Sequence, residues 1–282
     1  MAKLFPIIFI LLWSSAFITT KPIIDYSDPF AALAFRFFVV SFGFFLFSIF
    51  FKNTLKTSVN NIIYALISGI LFHGFYLGGV FYSISIGMPT GVTALIVTLQ
   101  PVLTNILAGP LLNEKISKSQ WIGMVLGFLG AALVLGFDIG KSLPLNGVLA
   151  AFISLFAITF STLWQKKLSN NLPLSSSNMY QALGGCLFHI LIVIFFASPK
   201  IIFSSTFIFA MSHQIILVSF GAFTILMYLI KNNSASKTVS IFFLIPATSA
   251  FMAWIFLNEN LTNLDLLGFL ITTIGVYIAT RD

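Results

Sequence analysis

The sequence predicts an all-α integral membrane protein: ten transmembrane helices, arranged as two inverted five-helix repeats around a central cavity. Composition is the first observation behind that expectation. Apolar residues make up 59% of the chain, charged residues 7%, and the mean hydropathy is +1.05. Soluble domains carry about 25% charged residues, so a chain this poor in charge belongs in lipid. The second observation is a series of ten apolar runs, each near the ~20 residues that a helix needs to cross a bilayer. Continuous runs of that length exclude a barrel, whose strands alternate in polarity over about ten residues. The third is an internal repeat. Adding 145 to the residue number carries Leu99, Pro101, Asn113, Glu114, Gly123 and Gly130 onto Leu244, Pro246, Asn258, Glu259, Gly268 and Gly275 without a gap. The same shift takes Lys21 to Lys166 and Ile49-Phe50-Phe51 to Ile194-Phe195-Phe196. Two fused copies of a membrane-spanning unit are the usual architecture of a secondary transporter.

The first span, 4–24, follows Lys3. No small-x-small cleavage site follows its apolar core, and the repeat aligns it with an internal helix, so it reads as a retained span. The turn Asp25–Pro29 leads into the second span, 30–51, and Lys52–Asn61 into the third, 62–86. Gly87-Met88-Pro89 punctuates the chain before the fourth, 90–111, and Asn113–Lys118 before the fifth, 119–137. These five spans make the first expected unit, residues 1–140. The second unit, residues 146–282, opens with the sixth span, 146–165. Lys166–Pro173 separates it from the seventh, 177–197; the eighth and ninth follow at 210–230 and 236–257, and Asn258–Asn263 precedes the tenth, 264–280.

Charge orients these spans. With the N-terminus in the cytoplasm, the inner side holds Lys3, Lys52, Lys56, Lys115, Lys118, Lys166, Lys167, Lys231, Lys237 and Arg281. The outer side holds Lys21, Lys141 and Lys200. Ten against three places both termini in the cytoplasm of a multi-pass protein of the inner (plasma) membrane. Asp25, Asp28, Asp138, Glu259 and Asp265 fall outside, in agreement. An odd number of spans per unit inserts the second unit upside-down. The basic turn Asn113-Glu114-Lys115 with Lys118 then falls inside, and its counterpart Asn258-Glu259-Asn260 with Asn263, which has lost the lysines, falls outside. Inverted pairs place a binding site near the midplane, between the halves.

Polar residues well inside spans are the candidates for that site, because lipid tolerates them only where they face protein or water. In the first span Trp13 sits mid-membrane with Ser14 and Ser15. It fits either a wall for an apolar solute or core packing. Arg36 is the one permanent charge well inside a span, about six residues or roughly 9 Å deep. It fits an outward snorkel to Asp25 or Asp28, or an electrostatic lure for a substrate carboxylate. In the third span His73 and Tyr76 share a face, and Gly74 and Gly78 make a small-residue seam. His73 fits a cavity hydrogen bond or proton site, or a neutral ring bonded to a backbone carbonyl. In the fourth span Gln100, Pro101, Thr104, Asn105 and Ala108 fall on one face; Pro246, Ser249, Ala250 and Ala253 repeat the pattern in the ninth. A proline inside each helix bends it and frees a carbonyl, so Pro101 and Pro246 are candidate hinges. The other reading is close packing, with Gln100 and Asn105 bridging helices. In the sixth span Ser154, Ser161, Thr162 and Gln165 share a polar face, and Trp164 fits an interface anchor. His189 reads as a packed helix contact and His213 as a hydrated helix end. Glu114 and Glu259 are expected to cap or pin helix ends. The glycines 123, 127 and 130, with Gly268, Thr272 and Gly275, give spans five and ten equivalent packing seams.

Several functions are excluded by what the spans hold. The net charge of +7 sits between apolar runs, where it sets topology, so no nucleic-acid partner is expected. Cys186, the single cysteine, forms no internal disulfide and fits no metal pattern. No metal, cofactor or enzyme active site is expected: no HExxH, phosphate loop or paired-Cys motif occurs. No Asp or Glu lies deep in a span, which disfavours a carboxylate proton relay. Repeated pore-filter residues are lacking as well.

Ten short spans in five-plus-five order, Trp13-Ser14-Ser15, Phe35-Arg36-Phe37, Leu99-Gln100-Pro101 and the span ends Asn113-Glu114 and Asn258-Glu259 together resemble the drug/metabolite transporter superfamily, EamA-like family. The resemblance covers nearly the whole chain. It implies a basket of helices around a central cavity and export of amino acids or related metabolites, while leaving the substrate open. The second half departs from the pattern: Arg36 maps to Gln181 and Trp13 to Ile158. The expected partners are therefore a small polar solute and the lipid bilayer, with a monomer or homodimer both compatible. The expected activity is alternating-access transport of an amino acid or derivative. A carrier of nucleobases, nucleotides or an adenosyl cofactor is the alternative within transport, served by Trp13, Tyr76 and Arg36. A passive channel or a membrane-embedded enzyme is the alternative from another class.

Overall fold

The computed structural model describes residues 4–52, 55, 57–88, 90–135, 143–168, 172–196, 199–257 and 262–281. Lys3, Lys56, Pro89, Asp138, Lys141, Asn258, Glu259 and Asn260 lie outside the described residues. The described chain is helical throughout, in the order α1 (Phe5–Tyr26), α2 (Pro29–Phe50), α3 (Val59–Gly69), a π-helical segment Ile70–Tyr76, α4 (Leu77–Ser85), α5 (Thr90–Val97), α6 (Gln100–Leu112), α7 (Lys118–Leu135), α8 (Leu145–Leu168) and α9 (Leu174–Phe196). There follow α10 (Ser205–His213), a π-helical segment Gln214–Ala222, α11 (Phe223–Asn232), α12 (Ala235–Ser240), a 3₁₀ turn Ile241–Phe243, α13 (Leu244–Leu257) and α14 (Asn263–Thr280).

Local chemistry accounts for the helix ends. Asp28 caps α2 by accepting from Phe30 N (3.0 Å) and Ala31 N (2.9 Å), with Pro29 at the first helical position, where its missing N–H costs nothing. Ser58, Ser204 and Ser234 cap α3, α10 and α12 in the same way. Thr262 and Asp265 form a capping box at α14. Asn113 ends α6 in the left-handed region at φ 56°.

Among the described residues, eight helical rods are long and apolar enough to cross a bilayer. Two of the ten expected spans differ. The fifth has a 17-residue apolar helix, Lys118–Val134. The fourth is not continuous: α5 has 8 residues, α6 has 13, and Thr98–Leu99 interrupt them. Pro101 is the physical reason, because it offers no N–H to the carbonyl four residues back. The chain tightens instead, with Thr98 N bonding Ala94 O (2.8 Å) and Leu99 N bonding Ile96 O (3.1 Å). Pro101 therefore sits in the first turn of a new helix and not inside a bent one. Pro246 likewise lies in the first turn of α13, after the 3₁₀ turn.

The packing is inverted relative to a soluble protein. Large apolar side chains such as Phe50 (78% exposed) and Phe196 (83%) cover the outside, while Ser14, Arg36, His73, Gln100, Gln165, Gln181, His189 and Gln214 are buried. Helix α7 packs along α14, and α2 along α9. The rod α3–α4 packs on α8 and α9, and the rod α10–α11 on α1. At the α7–α14 seam the Gly123 and Gly130 positions abut the backbone of α14 directly.

Contacts group the connecting segments at two ends. At one end Asp28 N bonds Lys200 O (2.8 Å) and Ile202 N bonds Tyr26 O (2.9 Å). At the other, Lys166 Nζ donates to Ile230 O (3.0 Å) and Asn233 O (2.5 Å), and the Glu114 carboxylate accepts from Ala235 N (2.8 Å), Ser236 N (3.2 Å) and Ser236 Oγ (2.8 Å). Phe5 packs edge-on against Tyr228 (5.0 Å), and Gly123 packs against Ala279.

Candidate functional site

Two recesses enter the helical body. One, of ≈ 450 Å³ with its mouth included, is lined by Trp13, Ala16, Thr20, Arg36, Tyr76, Leu77, Val80, Phe81, Ile84, Gln214 and Val218. The other, of ≈ 480 Å³, is lined by Asn61, Ala65, Ser68, Gln165, Leu172, Leu174, Ser177, Gln181, Met227 and Ile230. Three rings lie between them. Along α3–α4, Phe72 and His73 separate Ser68 from Tyr76; along α10–α11, Phe223 separates Val218 from Met227. Phe72 lies 5.1 Å and His73 4.5 Å from Phe223 between ring centroids, and Trp13 lies 6.0 Å from Phe72. Both π-helical segments end at this level. π-Bulges widen a helix by one residue per turn and recur at functional sites.

The first recess holds the buried cation. Arg36 is 3% exposed, and its Nε donates to Ser219 Oγ at 2.9 Å. Neither Asp25 nor Asp28 meets it, which corrects the outward-snorkel reading of the sequence. Asp25 pairs with Lys21, the sole ion pair among the described residues, and Asp28 is occupied as the α2 cap. The physical reason is direction: Arg36 lies on the face of α2 that turns inward with Ala32, Leu33 and Phe37. Opposite it, Gln214 Nε2 donates to Ala16 O (2.9 Å), Thr19 Oγ1 (3.0 Å) and Thr20 Oγ1 (3.4 Å). Trp13 and Tyr76 complete the wall.

The other candidates divide between recesses and seams. Gln165 lines the second recess, and Ser161 Oγ, beside it, accepts from Gln165 Nε2 (3.1 Å) and donates to Ser68 O (3.1 Å). Ser14 and Ser249 join α1 to α13: Ser14 Oγ donates to Ile245 O (3.3 Å), and Ser249 Oγ to Ser14 O (3.2 Å). His73 lies among Phe37, Phe72 and Phe223, and its carbonyl accepts from His189 Nε2 (2.8 Å). Gln100 Nε2 donates to Thr162 Oγ1 (3.2 Å), and Asn105 Nδ2 contacts Met124 Sδ. Gln100 and Asn105 thus turn toward α8 and α7; with Thr104 they line neither recess, yet Gln100 Oε1, Thr104 Oγ1 and Asn105 Oδ1 remain without partners. His213, expected to be hydrated, is half-buried, 3.1 Å from Ser15 Oγ and 3.3 Å from Thr19 Oγ1. Trp164 donates to Tyr64 O (3.2 Å).

Sequence reasoning passed over Gln181, Gln214, Ser68 and Ser219. The repeat held a signal for the first of these, since the 145 shift carries Arg36 onto Gln181.

Comparison with known proteins agrees with the architecture. Residues 1–136 and 145–281 each match the model of the EamA-like transporter family. The chain is similar to the uncharacterized transporter YvbV of Bacillus subtilis, at 28% identity over 75% of this chain and 68% of that one. It is also similar to a protein of Escherichia coli named "Probable amino-acid metabolite efflux pump", at 22% identity over 95% and 91% of the two chains. A solved crystal structure superposes with a TM-score of 0.83 at 18% identity, covering 99% of this chain and 97% of the other. That likeness concerns the fold.

Proposed function

This chain belongs to the EamA-like transporter family and is a membrane transporter; from that premise we propose that it carries a small carboxylate-bearing metabolite, an amino acid or a derivative, by alternating access. One observation carries the substrate class. The Arg36 guanidinium is buried on the wall of a recess, spends one donor on a hydroxyl, and has no carboxylate within ion-pair distance among the described residues. An uncompensated buried charge costs roughly several kcal/mol. An anionic solute supplies the missing charge, and Trp13 and Tyr76 supply the wall for its apolar body. The name of the Escherichia coli relative favours an amino acid or its metabolite as cargo and export as the direction.

The same reading takes the chain as two inverted five-span units, 1–140 and 146–282. In it, α5–α6 is the broken fourth span, α12–α13 with its 3₁₀ turn is the ninth, and α7 is the fifth. The twofold family match supports it. So do the two π-helical segments: the 145 shift carries Ile70–Tyr76 to positions 215–221, within Gln214–Ala222. Equivalent helices also pair, α2 with α9 and α7 with α14. The contacts of Phe5 with Tyr228 and of Gly123 with Ala279 support both chain ends on the lysine-rich face. The basic excess makes that face cytoplasmic.

Reconstitution tests the substrate class. Proteoliposomes preloaded with amino acids are expected to take up labelled amino acid by saturable counterflow, and Arg36→Gln is expected to abolish it. Absence of saturable flux for every carboxylate-bearing class would contradict the proposal.

A further inference from the structure

The second recess is the repeat image of the first, with the charge removed. The 145 shift carries Ala16, Thr20 and Arg36, which line the Arg36 recess, onto Ser161, Gln165 and Gln181, which line or adjoin the other. Along α3–α4 the two recesses are eight residues apart, from Ser68 to Tyr76.

Hydrogen-bond accounting gives the second recess a definite polarity. Gln165 is 4% exposed and Gln181 2%. A primary amide has two N–H donors and one oxygen with two lone pairs. Gln165 Nε2 uses both donors, on Gln181 Oε1 (2.9 Å) and Ser161 Oγ (3.1 Å). Gln181 Nε2 spends its donors on Ser177 Oγ (3.0 Å) and, more weakly, on Met227 Sδ (3.8 Å). Gln181 Oε1 also accepts from Ser68 Oγ (3.4 Å). One group is left over: Gln165 Oε1 is buried with no partner. A buried acceptor without a donor costs about 1–3 kcal/mol. The open valence of the Gln165–Gln181 pair is therefore an acceptor, whereas Arg36, its counterpart in the other recess, offers only guanidinium donors.

We propose that the Gln165–Gln181 recess is a second solute station, which takes the ammonium or amide N–H end of the cargo on Gln165 Oε1, as the Arg36 recess takes its carboxylate. The inference rests on the carboxylate reading of Arg36 and deepens it to a solute with a donor at one end and an anion at the other. The ring layer of Phe72, His73 and Phe223 keeps the stations apart, so each recognises a different end of the cargo in turn. A carboxylate meets the spent donors of Gln165 in the second recess, and an ammonium group meets the Arg36 cation in the first.

The test is a pair of competitors read on two variants. Wild-type proteoliposomes are screened for counterflow of each labelled L-amino acid. For the amino acid with the largest signal, half-inhibition is measured with its decarboxylated amine and with its des-amino carboxylic acid. Gln165→Met is expected to raise the amine concentration for half-inhibition about tenfold, the loss of one charge-assisted hydrogen bond, and to leave the carboxylic acid unaffected. Gln181→Met, which frees a Gln165 N–H, is expected to weaken the amine in the same direction and serves as the second variant should the first fail to fold. Amine inhibition equal in wild type and in the folded variants, or an amine that never competes, overturns the second station while leaving the carboxylate reading intact. Wild-type protein without counterflow for any amino acid overturns this inference, and absence of saturable flux for every other carboxylate-bearing class as well overturns the carboxylate reading with it.

Discussion

Arg36 is nearly sealed from solvent and bonds one serine hydroxyl, Ser219, 183 positions away in the chain. If it binds cargo, its energetic and functional contributions have opposite signs. Replacing an unpaired buried charge with an apolar side chain of similar length removes the cost of taking that charge out of water. Arg36→Met is therefore predicted to hold or raise the melting temperature in detergent while counterflow falls by tenfold or more (about 1.4 kcal/mol). A merely structural arginine would lose stability first. Glu114 behaves in the opposite way. Its carboxylate holds two N–H groups and a hydroxyl at the start of α12, so Glu114→Ala is predicted to cost about 0.5–2 kcal/mol as a lower melting temperature. Arg36 was legible in the sequence as the one deep charge, and Glu114 as a pinned helix end. Their partners were not, because Ser219 and Ser236 are brought in by tertiary packing across more than a hundred residues.

At the scale of elements, apolar run length placed the eight rods that are long and apolar enough to cross a bilayer among the described residues, because lipid demands about 20 apolar residues per crossing. Interruptions inside spans left fainter marks. Pro101 and Pro246 signalled bends; the structure instead starts new helices there, because a proline fits best in a first turn. The π-helical segments Ile70–Tyr76 and Gln214–Ala222 carry no breaker pattern and were invisible in the sequence. Pro101→Ala restores the missing N–H and is predicted to let α5 and α6 join, giving a stable protein with slower turnover, read by melting and counterflow on one preparation. The α7–α14 seam makes a sharper prediction. A methyl group at Gly275 would run into the backbone of Gly123 and Gly127, whereas at Gly109 the nearest atom, Glu114 O, is 3.8 Å away. Gly275→Ala should therefore lose about 1–3 kcal/mol, and Gly109→Ala should lose nothing.

Across the molecule, among the described residues, two recesses with a few polar side chains in mostly apolar linings indent a body whose outer surface is apolar, and a layer of rings separates them. Matching residues at a fixed spacing of 145 were legible in the sequence, and the two matches to the family model, over 1–136 and 145–281, agree with them. The charge difference between the recesses was half legible, in the mapping of Arg36 onto Gln181. The recesses themselves depend on how ten apolar segments pack, which no local pattern encodes. Alternating access requires that the two recesses open in turn. Cysteines introduced at Ile84 in one and at Leu174 in the other, in a Cys186→Ala background, report this directly through their reaction with a membrane-impermeant thiol reagent. Saturating the protein with its amino acid from one side is predicted to raise the rate at one cysteine and lower it at the other. Rates that rise together, or that ignore the solute, would contradict alternating access.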